Sequence, residues 1–140
     1  MKIGEWDGIG HARGLIVRQL GELGAQELAA HVATDERARS RILVATDVGL
    51  LDYSWSAKTG EPDATWALRG ALVRWPNVRG LRLQTDGEWD PVTERMRSIW
   101  RVVAEEPKIE LSALEGTEES QGPALIALLA FARACLERTT

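Results

Sequence analysis

Apolar residues along this chain fall into short runs, and their spacing shifts from helical near the start to alternating through the middle and back to helical at the end. Leu15-Ile16-Val17-Arg18-Gln19-Leu20 opens with helical spacing that Gly21 and Gly24 interrupt. Each glycine costs a helix about 1 kcal/mol against alanine, so a short helix from Leu15 to about Gly24 is predicted. Between Glu27 and Thr34, Leu28, Ala30, Val32 and Thr34 alternate with Ala29, His31 and Ala33. The alanines would also suit a helix, but the alternation is read as a strand. After a polar loop from Thr34 to Arg41, Ile42-Leu43-Val44-Ala45-Thr46 and Leu50-Leu51-Asp52-Tyr53-Ser54-Trp55 flank Asp47-Val48-Gly49, as two strands around a tight turn would.

Ser56 to Thr65, with Gly60, Pro62 and Asp63, has the composition of a hairpin loop. Trp66 to Trp75 then places Trp66, Leu68 and Leu72 on one strand face and Ala67, Ala71, Val73 and Trp75 on the other, until Pro76-Asn77 ends it. Val78 to Thr85 reads as a half-buried strand, with Leu81, Leu83 and Thr85 opposed to Arg82 and Gln84. Val92 to Glu105 fits both periods; Pro91 suits the first position of a helix, so the stretch is divided into an irregular or helical part to about Arg97 and a strand from Ser98 to Ala104. Glu106-Pro107 turns the chain into Lys108 to Ser112, which alternates and completes a hairpin. Beyond the polar linker Glu115 to Gln121, Gly122-Pro123 precedes Ala124 to Arg138, rich in alanine and leucine and free of internal glycine and proline: a helix.

About seven strands joined by short turns and followed by one helix define an α+β domain, a bent antiparallel sheet or partly open barrel capped by the C-terminal helix. Residues 1–14, with four glycines and no clear period, are expected to form an arm pinned by Trp6, and residues 15–140 the single domain. At 140 residues and 44% apolar content the chain can bury a core without disulfides.

Several residues carry a resemblance to a known family. Leu23-Gly24-Ala25-Gln26-Glu27-Leu28 looks like the opening turn of the bacterial pleckstrin-homology-like domains. Ile42 to Leu51 resembles the apolar run, Thr-Asp, small turn and Leu-Leu that join their second and third strands. Arg74-Trp75-Pro76-Asn77-Val78 is similar to their dip from the fourth strand into the fifth. The resemblance spans roughly Leu23 to Arg138 and implies the fold more than a function.

A net charge of −4 argues against a nucleic-acid partner. The single cysteine, Cys135, excludes an intrachain disulfide and a thiolate zinc site and suits a reducing compartment. The opening residues are acidic where a signal peptide has an apolar stretch, and the longest apolar block, Ala124 to Ala132, is far short of the roughly 20 residues that a span requires. A cytoplasmic protein is expected.

The candidate chemistry is sparse. Arg37, Arg39 and Arg41 place three guanidinium groups in one loop, the place where the resemblance implies headgroup-gripping residues in phosphoinositide-binding relatives. Asp35 and Glu36 precede them, and the neighbouring loop sets Lys58 against Glu61 and Asp63, so the site is half neutralised. Arg69, Arg74, Arg79 and Arg82, with Trp66 or Trp75, are candidates for a partner surface, against the alternative of an ordinary polar sheet face. Of six tryptophans, Trp55, Trp66 and Trp100 are assigned to the core and Trp6, Trp75 and Trp89 to partly exposed positions. Gly8 to Gly14 lacks the preceding strand and following acid of a dinucleotide loop. Asp86-Gly87-Glu88-Trp89-Asp90 spaces its carboxylates like a calcium loop, but Pro91 and Arg97 stand where glycine and glutamate are needed, which leaves a loop with a carboxylate cluster. His11, His31 and Cys135 assemble no nucleophile, base and orienter.

The expectation is therefore a non-enzymatic binding or assembly module without a cofactor, whose partner is another protein or a second copy of itself. The alternative is peripheral binding of an anionic membrane surface or phosphate through Arg37, Arg39 and Arg41.

Overall fold

The computed structural model describes residues 1–6, 9–37, 39–57, 66–115 and 121–139. These form two compact units, Met1–Trp75 and Pro76–Thr140. Seven strands and both expected helices are present among the described residues, which confirms the α+β class; the strands pair as two sheets, of four and of three.

The first unit holds a 3-10 turn (Ile3–Glu5), helix α1 (Ala12–Leu23) and strands β1 (Glu27–Thr34), β2 (Ser40–Thr46), β3 (Gly49–Ala57) and β4 (Trp66–Arg74), all antiparallel in the order β1-β2-β3-β4. The ambiguous segment from Glu27 is thus a strand. Helix α1 stops where expected, because Gly24 takes the left-handed conformation (φ 63°) and hands its N–H to Gly21 O, while Ala25 N–H reaches Leu20 O at 3.0 Å. It starts three residues earlier than Leu15, at Ala12.

Ala12, Ile16 and Leu20 recur every fourth residue and bury one stripe of α1 among Ile3, Ile9, Ala30, Ile42, Val44, Leu51 and Tyr53. This corrects the reading of residues 1–14 as an arm: Ile3 and Ile9 are wholly buried. Trp6 does anchor the segment, its indole N–H donating to Ala30 O at 3.1 Å, and Met1 O accepts from Ala30 N–H at 2.7 Å. The isolated apolar positions 3 and 9 showed no period because they belong to no long element. On β2 the residues of both faces are buried, Ile42 and Val44 on the α1 side and Leu43 and Ala45 on the other, which explains an apolar run without alternation. Gly70 on β4 passes over the Tyr53 ring so closely that a Cβ there would lie 2.3 Å from Cδ1.

The second unit holds β5 (Arg82–Asp90), β6 (Arg95–Ala104) and β7 (Ile109–Glu115), antiparallel in the order β5-β6-β7, and helix α2 (Gln121–Arg138), which packs on β7 and β6. Ala127, Leu128, Phe131, Ala132 and Cys135 make the buried stripe of α2; Ile109, Leu111 and Ala113 alternate as the buried positions of β7.

Two expectations fail here. The strand placed at Val78 to Thr85 begins only at Arg82 and continues through Asp90, so the carboxylates of Asp86, Glu88 and Asp90 lie on a strand and not in a loop. The irregular or helical stretch to Arg97 is a turn over 91–94 followed directly by β6. The cause is side-chain pairing that a hydrophobic period does not report. Asp86 pairs with Arg101 and Asp90 with Arg97 across the two strands, while Asp90 Oδ1 accepts the Val92 N–H at 3.0 Å and sets the turn.

Candidate functional site

The arginine loop is internally satisfied. Asp35, just past the end of β1, accepts the backbone N–H groups of Arg37 and Arg39 on Oδ1 and the Arg39 Nε–H on Oδ2, each at 2.9 Å. Those bonds, the Arg39 backbone N–H foremost, hold its carboxyl below the usual carboxylate range. Arg41, on β2, meets Asp52 of β3 in a two-pronged pair, Nε to Oδ1 at 3.0 Å and Nη2 to Oδ2 at 2.8 Å. Arg37 is exposed and stands apart. The three guanidinium groups therefore do not converge on one pocket.

What the register does bring together is a different pair. Arg41 faces Ser54, and Ser54 faces Arg69, so two arginines flank one hydroxyl across three strands. They line an open groove of about 750 Å³ with Thr34, Arg39, Asp52 and Ser54. Its charged lining is Arg39, Arg41 and Arg69 against Asp35 and Asp52, which leaves the charge nearly balanced. Lys58, Glu61 and Asp63 lie outside the described residues.

The second candidate set also separates. Arg69 and Arg74 both lie on β4, but five residues apart, so they project from opposite faces of the sheet. Arg79 and Arg82 belong to the second unit, where their guanidinium groups lie 4.0 Å from Glu106 and 3.9 Å from Glu105. Trp75 is corrected outright as a partner-surface residue: it is buried, and its indole N–H donates to Thr46 O at 2.9 Å. Trp66, assigned to the core, is 46% exposed, stacked on Trp55 at 5.3 Å between ring centroids; Trp89 is 59% exposed.

The most distinctive surface is one the residue pattern did not single out. β4 ends the four-stranded order, and among the described residues β3 is the one strand that pairs with it. This nine-residue edge contains neither proline nor an acidic residue, and Arg69, Gly70, Ala71 and Leu72 at its centre are all exposed. Natural edges are commonly blunted by charge, proline or bulges; this one carries the charges of Arg69 and Arg74 alone, and an edge so lightly guarded is a template for another strand. The β5 edge is the contrast, with Asp86, Glu88 and Asp90 along it. Beside β4, between it and α1, runs a groove of about 340 Å³ lined by Gln19, Glu22, Leu23, Tyr53, Leu68 and Leu72. Strand order decides which strand is an edge, and no single-chain pattern reports strand order.

The titratable groups of the interior are dispersed. His31 on β1 is buried edge-on against Trp6, with ring centroids 5.2 Å apart; burial first, then the N-terminal amine, pulls its pKa down to about 4. Burial pushes the Cys135 thiol, in the other unit, up to about 12. Among the described residues, no group of three His, Cys, Asp or Glu side chains is placed to hold a metal ion, and no helix is long and apolar enough to cross a membrane. Compared with protein-family models, curated proteins and solved structures, the chain matches none of them.

Proposed function

We propose that this chain is a non-enzymatic binding or assembly module that takes an extended segment of another polypeptide onto the free edge of β4. The open edge carries the reading: the alternate N–H and C=O groups that β4 turns away from β3 supply affinity through main-chain hydrogen bonds, and the groove between β4 and α1 supplies a place for alternate side chains. Four strands, then three, then a C-terminal helix also supports the pleckstrin-homology-like reading, whose barrel is a scaffold for binding surfaces. The balanced charge of the arginine groove weighs against anionic lipid or phosphate as the principal ligand. A lone buried cysteine supports a reducing, cytoplasmic setting.

The test is selection from a displayed library of random octapeptides, followed by titration of the enriched peptides into isotope-labelled protein. Amide shifts concentrated on residues 66–74, and lost in Leu72→Lys, are expected. Enriched peptides that perturb other strands and bind Leu72→Lys equally well would overturn the reading.

A further inference from the structure

The sequence of β4 is complementary to itself. In antiparallel pairing about a two-fold axis at Gly70, the full strand overlaps and no two like charges stand directly opposite, the two copies of Arg69 lying diagonal to each other. On the α1 side, Trp66 comes opposite Arg74 of the second copy, a cation-on-ring pairing, and Leu68 comes opposite Leu72. On the other side, Arg69 meets Ala71 and Ala67 meets Val73. Glycine meets glycine at the axis. Moving the axis one residue toward the start sets Arg69 against itself, and moving it the other way shortens the overlap and loses the Trp66 pairing. The groove between α1 and β4 opens on the same side as Leu68 and Leu72, and so leaves room beside the edge for the second copy's leucines.

Resting on the reading of β4 as a docking edge, we infer that its partner is a second copy of this chain, and that the two four-stranded sheets join across Gly70 into one eight-stranded sheet. The interface is isologous, so each change at one position acts twice.

Ala71 gives a register-specific test. It is exposed, and in the dimer it faces Arg69 of the second copy twice over, while within its own chain it faces Asp52. Ala71→Glu should tighten dimerisation about tenfold and Ala71→Arg should weaken it by a similar factor. Inside one chain the ordering is opposite, since Asp52 repels a carboxylate at that position and attracts a guanidinium. Sedimentation velocity from micromolar to near-millimolar protein is the readout. A reversible dimer with that ordering supports the inference; a monomer at every concentration, or a dimer indifferent to both substitutions, overturns it. In that second case octapeptides that still bind β4 leave the docking reading standing, and octapeptides that ignore β4 remove both. Should the variants fail to fold, hydrogen exchange on the unaltered chain decides. Amides of residues 68–72 that slow as concentration rises support the dimer, and amides that do not change refute it.

Discussion

Arg41 and Asp52 hold each other through two parallel hydrogen bonds across β2 and β3, at 3.0 and 2.8 Å, in a position only one-third to one-fifth exposed. The pairing engages the Arg41 guanidinium as Asp35 engages that of Arg39, so two of the three candidate headgroup cations already have carboxylate partners. Partial exposure and screening keep its value near 1 kcal/mol. Anionic vesicles should therefore sediment the protein no better than neutral ones, at low or high salt, and Arg37→Ala/Arg39→Ala/Arg41→Ala should behave as the unaltered chain does. Salt-sensitive binding that disappears in the triple variant would restore the lipid reading.

His31 makes stability depend on pH. Its folded pKa of about 4 lies below the value of about 6.5 it has when exposed, so the unfolded chain takes up the proton first as pH falls. The neutral ring's contribution is complete above about pH 6.5 and is lost progressively toward pH 4. Between pH 7 and about pH 4.5 this one group should cost roughly 2–3 kcal/mol. Urea denaturation of the unaltered chain and of His31→Leu at both pH values isolates it from the carboxylates. An equal pH dependence in the two proteins would show that the ring titrates normally.

The parts of the fold that could be read from the residues are those set by local physics. Gly24 ends α1 because it adopts the left-handed conformation, the alternation from Glu27 gives β1, and the Ala/Leu-rich stretch after Pro123 gives α2. The misreadings came from pairing. Asp86 and Asp90 suggested a loop by composition, but their arginine partners on β6 hold them in a strand. Ile3 and Ile9 acquire meaning only with the sheet above them. The candidate site was the least legible part: Arg41 and Arg69 are 28 positions apart and meet only through Ser54, and the β4 edge exists only once strand order is known.

Gly70 is required by Tyr53. A Cβ at that position would lie 2.3 Å from Cδ1 and 2.5 Å from Cε1 of the ring, and the ring is fixed both by core packing and by the bond from its hydroxyl to Gln19 Oε1 at 2.8 Å. Gly70→Ala should destabilise the fold by about 1–3 kcal/mol. Adding Tyr53→Leu, which removes the obstructing ring edge, should reduce the further cost of the alanine to well under 1 kcal/mol. Thermal melts of the two single variants and the double variant give the cycle, and simple additivity would refute the contact.

Cys135 should be inert while the chain is folded. Burial in the α2 stripe raises its thiol to about 12, so at mildly alkaline pH almost none is thiolate. Labelling by a disulfide reagent should be slow in buffer and fast in denaturant, with a native rate that follows unfolding. Rapid native labelling would mean that α2 opens locally.

Thr46 and Trp75 together hold the turn between β2 and β3. The Thr46 hydroxyl donates to Gly49 O at 2.7 Å and accepts from the N–H groups of Val48 and Gly49, while the Thr46 carbonyl takes the Trp75 indole N–H at 2.9 Å. Thr46 is wholly buried, so a group left unpaired there cannot turn to water. Thr46→Val removes the hydroxyl at nearly constant shape and Trp75→Phe removes the indole donor; each should cost about 1–3 kcal/mol. The bonds differ but secure one turn, and once either is lost the turn relaxes and the other holds less. The double variant should therefore be more stable than the sum of the single losses implies, by about 0.5 kcal/mol or more. Urea midpoints for the three variants measure it. Losses that add to within experimental error would mean that Trp75 fastens the end of β4 independently of the turn.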